Sequence, residues 1–433
     1  MSKTIKIVGL LLLVAIPAGA EPLPDKAAAK HMGVASCAGS QCHGSAVPRD
    51  GSGVLRNEYV TWTQDDPHSG AYQTLTTDPS TAIANRLGFK NAYTMKVCLD
   101  CHTDNVKPGQ RGERYQVTDG VGCEACHGGA EIWLSTHYNT PTVNHLDNLQ
   151  AGLYPAEKPR DRAELCLSCH LGTKDKLASH RIMAAGHPRL AFELDTFTEL
   201  WRTAGRQPHY RVDADYRERK DSASHVYTWA AGLLADGRRR LALIQDDRYA
   251  GTGMFPELGL YDCHACHRSM KSVQWRRLAR HANADPGVPF VSDGTFVMIL
   301  ALARAMSPTD AEAVAGSLAS LHVAGSQSVE EVRAAAAELD AVFASIQKSI
   351  SEQKLLGNQG EILSEILRSG AAGEFLDYAS AEQAFMAVQM LSFELNDAAL
   401  QDEIDALAQS LENDERYRPT QFARLLRQFD HVQ

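Results

Sequence analysis

The chain has 433 residues, 44% of them hydrophobic, which is enough for two or three domains with real cores. Its 43 basic and 53 acidic residues leave a formal charge of −10 at pH 7, and no stretch is dense in Lys or Arg. That balance excludes the basic face by which nucleic-acid binders are recognised, and a protein partner docking on so acidic a chain is expected to be positively charged.

In chain order, the first segment reads as a secretory signal over residues 1–20. Lys3 and Lys6 supply the positive start, and Ile7 to Ile16 form an apolar run too short to span a bilayer. Ala18-Gly19-Ala20 gives the small-residue cleavage pattern before Glu21, and no Cys follows it to take a lipid. The mature chain is therefore expected to be exported, to the periplasm or beyond the cell, with no integral membrane segment. Residues 21–36 are expected to form a flexible Pro/Ala-rich lead.

From residue 37 to about 285 the chain carries all ten of its cysteines, and every one belongs to a pair followed at once by His. Four pairs have two residues between them: Cys98/Cys101-His102, Cys123/Cys126-His127, Cys166/Cys169-His170 and Cys263/Cys266-His267. The first is wider, Cys37-Ala-Gly-Ser-Gln-Cys42-His43, and needs a bulged loop that its small residues permit. In a C-x-x-C-H motif the thiols bond the two vinyl groups of one haem, and the adjacent His reaches the iron from the same side. Disulfides or zinc could use such cysteines, but neither requires the His. With His at 17 of 433 residues, five chance placements have odds on the order of one in ten million. The sequence thus predicts five covalently bound haem c groups with His43, His102, His127, His170 and His267 as proximal ligands.

Twelve further His remain, more than packing calls for. A carrier haem takes a second strong ligand, and His gives a lower potential than Met. The distal candidates are His68 at a helix start, His137 ten residues after His127, His180 and His187 beside the fourth motif, and His225 before an Ala/Leu-rich helix. His180 and His187 are two helical turns apart and would share a face unless Gly186 ends the helix first. His31, His145, His209, His264 and His281 are reserves. His209 competes with His225, and His264 is expected to point away from its own iron. His322 and His431 read as surface residues. Met32, Met95 and Met183 are assigned no role.

Asp285-Pro-Gly-Val-Pro289 punctuates the end of this region, and residues 290–430 change character: no Cys, abundant Ala and Leu. Ser307-Pro308-Thr-Asp310 and Ser328-Val-Glu-Glu331 read as helix starts. Val332, Ala336, Leu339, Phe343, Ile346 and Ile350 follow at steps of four and three, and Ser380 is expected to open another helix. The tail should be an antiparallel helical bundle whose stripes form its own core. The expected fold is mainly α: a haem region of short helices and long loops over 37–285, followed by this C-terminal bundle. No Ser-His-Asp signature, phosphate loop or zincin motif is present.

These motifs resemble the multihaem cytochrome c554-like family, within the wider group of hydroxylamine oxidoreductase and pentahaem nitrite reductase. The resemblance lies in Cys37-x4-Cys42-His43-Gly44, Asp66-Pro-His68-Ser-x-Ala71-Tyr72, Gly122-Cys-Glu-Ala-Cys-His-Gly128, Ala185-Gly-His-Pro-Arg-Leu190-x-Phe192-Glu193 and Asp262-Cys-His-Ala-Cys-His267 with Trp275 beyond. It covers 37 to 280 firmly and the tail loosely. It implies His68, His137 and His187 as distal ligands and closely stacked haems forming a conductive chain. It also implies an electron carrier exchanging with a redox donor and an acceptor. The enzymes of the group differ: the nitrite reductases often replace one motif His by Lys, whereas every motif here ends in His. The alternative is a multihaem oxidoreductase acting on a small nitrogen or sulfur oxyanion at one open haem. A filament-forming cytochrome is a third class, which nothing in the sequence selects.

Overall fold

A computed structural model describes residues 22–49, 54–138, 143–203, 210, 212–220, 222–247, 257–267, 279–281, 283, 290–396 and 400–429. The signal segment, His209, Trp275, the 285–289 cluster and His431 lie outside the described residues.

The motif-bearing part is built from short helices: α1 (Glu58–Asp65), α2 (Ala71–Thr74), α3 (Asp78–Arg86), α4 (Lys96–His102), α5 (Cys123–His127), α6 (Leu134–His137), α7 (His145–Gln150), α8 (Pro159–His170), α9 (His180–Ala184), α10 (Leu194–Thr203) and α11 (Ala214–Arg219). A two-stranded hairpin, β1 (Gly172–Thr173) and β2 (Lys176–Leu177), follows α8. The long α12 (His225–Gln245) and the one-turn α13 (Cys263–Cys266) complete this part. The tail supplies α14 (Gly294–Met306), α15 (Pro308–Ala324), α16 (Val329–Ser349), α17 (Glu352–Leu356), α18 (Gln359–Ala371), α19 (Tyr378–Glu394), α20 (Gln401–Ser410) and α21 (Pro419–Leu426). The chain is mainly α, as its patterning implies.

The two parts differ in how they are filled. One continuous core holds Trp229, Leu234 and Leu241 of α12, Phe296, Met298 and Ile299 of α14, and Leu318, Leu339, Phe343, Ile366, Leu391 and Phe422 from the helices around them. The first ten residues of α14 are all buried, so it is the central helix and carries no polar face. Ala163 and Leu167 of α8 join the same core, as does most of α12. The bundle is therefore closed partly by helices from the motif region. Among the described residues before α8, the one separate cluster is Leu75, Ala84 and Ala92. So small an apolar cluster leaves that region short of side-chain core.

Helix starts follow local chemistry. The Ser307 and Ser328 hydroxyls accept from Asp310 N and Glu331 N at 3.3 and 3.1 Å. At α19 the expectation is corrected. Asp377, not Ser380, is the cap, accepting from Ser380 N at 2.7 Å. The helix starts three residues earlier, which buries Ser380 and Ala381 in its first turn.

The lead is also corrected. It is held rather than loose: His31 is fully buried, its backbone N–H donates to Gln110 O at 2.8 Å, and Met32 N and Gly33 N donate to the Glu124 carboxylate at 2.7 and 2.6 Å. Composition cannot show this, because the acceptor lies ninety residues away inside the third motif.

Candidate haem-ligand site

Four of the motifs sit on a helical turn, at α4, α5, the end of α8 and α13. Two thiols at i and i+3 then share a face, and the His at i+4 falls on the same side. The wide first motif reaches the same end by a loop. His43 N donates to Cys37 O at 3.1 Å, matching His267 N to Cys263 O at 2.7 Å, while residues 38–41 bulge outward. Gly44 closes that bulge, for a Cβ there would lie 2.0 Å from Ala38 O. None of the ten cysteines is paired in a disulfide. Cys37 lies within hydrogen-bonding reach of Cys123, and Cys101 of Cys169. The first motif thus adjoins the third, and the second adjoins the fourth.

Histidines face one another across these turns. The His43 and His137 rings are near parallel, at 15°, with centroids 6.0 Å apart. His68 meets His170 at 6.1 Å, His102 meets His187 at 6.4 Å, and His180 meets His267 at 6.3 Å. A metal–nitrogen bond of about 2.0 Å plus roughly 1.1 Å from nitrogen to centroid, taken twice, puts imidazoles that share one ion about 6.2 Å apart. The four separations fit one iron between each pair. Gly186 takes φ +113° and ends α9, so His180 and His187 diverge to different partners.

The ring nitrogens are sorted to match. Nδ1 of His43 lies 2.9 Å from Glu58 Oε2, and Nδ1 of His68 lies 2.9 Å from Asp66 Oδ1. Nδ1 of His102 lies 3.1 Å from Ala71 O, and that of His187 lies 2.8 Å from Pro188 O. Each acceptor can only accept, so Nδ1 carries the proton and Nε2 keeps its lone pair for a metal. Burial, with His68 nearby, pushes the His170 pKa down to about 4 and keeps that ring neutral. Nδ1 of His137 is buried without an acceptor among the described residues.

The remaining histidines behave differently. His127 ends α5 and is exposed. His225 has Nδ1 held by the Asp195 carboxylate at 3.1 Å, but its ring meets Phe393 edge-on and opposes no imidazole among the described residues. It lines a cleft of about 400 Å³ with Arg162, Asp195, Tyr210, Tyr216 and Arg217. His31 has both nitrogens engaged, to Asp104 at 2.7 Å and Pro24 O at 3.3 Å, which leaves none for a metal. His145 pairs with Glu157 at 2.9 Å, and the His264 ring lies 6.2 Å from Tyr378.

His322 is not a surface residue. It is 2% exposed and shares the Asp293 carboxylate with Arg280 and His281 at 3.0, 2.6 and 3.6 Å. Burial pushes the Asp293 carboxyl up, but Arg280 and the two imidazoles overcome it and hold it well below the usual range. The buried Arg280 guanidinium supplies positive charge beside the Asp293 carboxylate. Ala311, Val314, Leu318 and Leu321 share the buried face with His322.

Thiol pairs on helical turns beside opposed imidazoles are the arrangement that covalent haem attachment and axial ligation require. Residues 35–128, which hold the first three motifs, match the model of the family described as cytochrome c554 and c-prime. The match spans less than a quarter of the chain and supports a multihaem cytochrome c-like family, with covalently bound haem c and a role in electron transfer. No curated protein and no solved structure matches the chain. Among the described residues, no helix is long and apolar enough to cross a membrane.

Proposed function

We propose that this chain is a periplasmic pentahaem electron carrier, passing electrons between a redox donor and an acceptor through closely packed, mostly bis-His haems. Thioether attachment falls to Cys37/Cys42, Cys98/Cys101, Cys123/Cys126, Cys166/Cys169 and Cys263/Cys266, with His43, His102, His127, His170 and His267 as proximal ligands. The observation that carries the reading is the set of four imidazole pairs at 6.0 to 6.4 Å. They support a reading with His137 opposite His43, His187 opposite His102, His68 opposite His170 and His180 opposite His267. His225, the fifth distal candidate, has its Nδ1 anchored as a ligand's would be, and His209 competes with it for the remaining iron.

The bound haem supplies one-electron chemistry at an iron whose potential follows its axial ligands. The chain's own residues orient the imidazoles and hold the protons on Nδ1. They also bring the motifs together, as the Cys37–Cys123 and Cys101–Cys169 contacts indicate. Export is supported by the signal-like start, and amino-terminal sequencing of the mature protein should begin at Glu21.

The test is the intact mass of the purified mature protein with low-temperature EPR. Five haem masses and low-spin ferric signals are expected, and a mass equal to the bare polypeptide ends the reading. A second reading, an oxidoreductase acting on a small nitrogen or sulfur oxyanion, is favoured by the polar cleft that places Arg162, Tyr210 and His225 together. A high-spin ferric signal that responds to nitrite or hydroxylamine would select it over the pure carrier.

A further inference from the structure

The four imidazole pairs differ in what holds their outer nitrogens. His43 donates to the carboxylate of Glu58 and His68 to that of Asp66, each at 2.9 Å. His102 and His187, which face each other, donate to the neutral carbonyls of Ala71 and Pro188 at 3.1 and 2.8 Å. An imidazole whose N–H is bound by an anion gains imidazolate character and becomes a stronger donor through its other nitrogen. A stronger donor stabilises ferric over ferrous iron and lowers the potential. Low solvent exposure strengthens the effect, and the Asp66 side chain is only 7% exposed.

We propose that Glu58 and Asp66 are positioning residues that tune two haems. On this proposal, the haems held between His43 and His137 and between His170 and His68 are low-potential members of the set, and the haem between His102 and His187 lies above them. The first and fourth motifs adjoin the third and second respectively through their thiols. Each low-potential site thus has a close neighbour to which an electron can pass. The inference rests on the bis-His reading above.

The experiment is a redox titration of the purified holoprotein followed optically and by EPR, comparing wild type with Glu58→Gln and Asp66→Asn. The amide oxygen of each variant can still accept from Nδ1, so the ring keeps its orientation and only the anionic acceptor is lost. Each variant should keep all five haems by mass, raise the midpoint of one haem, and shift one low-spin signal; the two variants should affect different haems. Glu58→Asp retains the charge but withdraws it, and should move the same haem in the same direction if the contact matters.

Complete haem loading with unchanged midpoints and signals would overturn the proposal. So would a raised midpoint with no change in EPR signal, since a charge acting through space does that without altering the ligand. A wild-type sample lacking its haems or its low-spin signals would instead sink the underlying function, before any variant is made. Should Glu58→Gln fail to mature, Asp66→Asn tests the same claim at the other haem.

Discussion

At the scale of single residues, the unusual groups are buried carboxylates, and they do different work. Glu193 caps α10, accepting from Asp195 N and Thr196 N at 2.8 Å each. Two amide donors and a helix N-terminus favour the charged form. Full burial opposes them, joined by the nearby Asp195 carboxylate, and the Glu193 pKa is pushed up to about 7. Between the unfolded value near 4.3 and about 7, the folded chain keeps a proton that the unfolded chain has lost. Stability contributed at this site is therefore complete below that window and falls as pH rises through it, by on the order of 3 kcal/mol in total. Denaturant melts from pH 4.5 to 7.5 should show that decline, and Glu193→Gln should flatten it. A decline of equal size in the variant would place the titrating group elsewhere. The placing of four cysteine pairs and their histidines on helical turns was legible because the motif is a local pattern. Asp66, two residues before His68, was within reach of the same reading as a short turn. Glu58 was not, since nothing in the sequence ties it to a histidine fifteen residues earlier.

At the scale of elements, single glycines decide where the ligand-bearing turns stop. Gly186 adopts φ +113°, and a Cβ there would lie 2.8 Å from the Arg86 guanidinium, which donates to Ala185 O at 2.8 Å. Gly186→Ala should cost about 1–2 kcal/mol from backbone strain alone. It should also displace His187 from His102. The measurable result is a lowered melting temperature together with the loss or broadening of one low-spin EPR signal. Gly316, in the middle of α15, makes the comparison, for nothing lies within 4 Å of its Cβ position. Gly316→Ala should stabilise by up to about 1 kcal/mol and leave every haem signal alone. The helices of the tail were legible from caps and stripes, and Val332, Ala336, Leu339, Phe343 and Ile346 are buried as their spacing implies. The α19 start was misplaced because Asp377 and Ser380 are both competent caps, and only tertiary burial of the first turn chooses between them. His322 was misread for a related reason. A polar residue on an apolar stripe is compatible with either a surface or a satisfied core position, and its partner Asp293 lies 29 residues away.

At the scale of the whole molecule, the composition change near residue 290 does not coincide with the edge of the packed core. Helix α12 lies in sequence between the fourth and fifth motifs, yet Trp229, Leu234 and Leu241 sit in the same core as Phe296 and Phe343 of the tail. Among the described residues, the motif region before α8 has only a small cluster of its own, so the porphyrins are the apolar material around which it can close. These two facts predict how the chain behaves when haem attachment is prevented, for instance by production in a host without the maturation machinery. Residues 37–158 should then fail to close and be digested early by a non-specific protease, since an open chain is cleaved in proportion to the time it spends open. The bundle should resist, and the resistant material should include α12 together with residues 290–429, held by the shared core even if the chain between them is cut. Native separation followed by mass measurement reads this directly. Recovery of the tail without α12 would show that the bundle closes by itself at the composition boundary. Survival of residues 37–158 without haem would show that their side chains form a sufficient core after all.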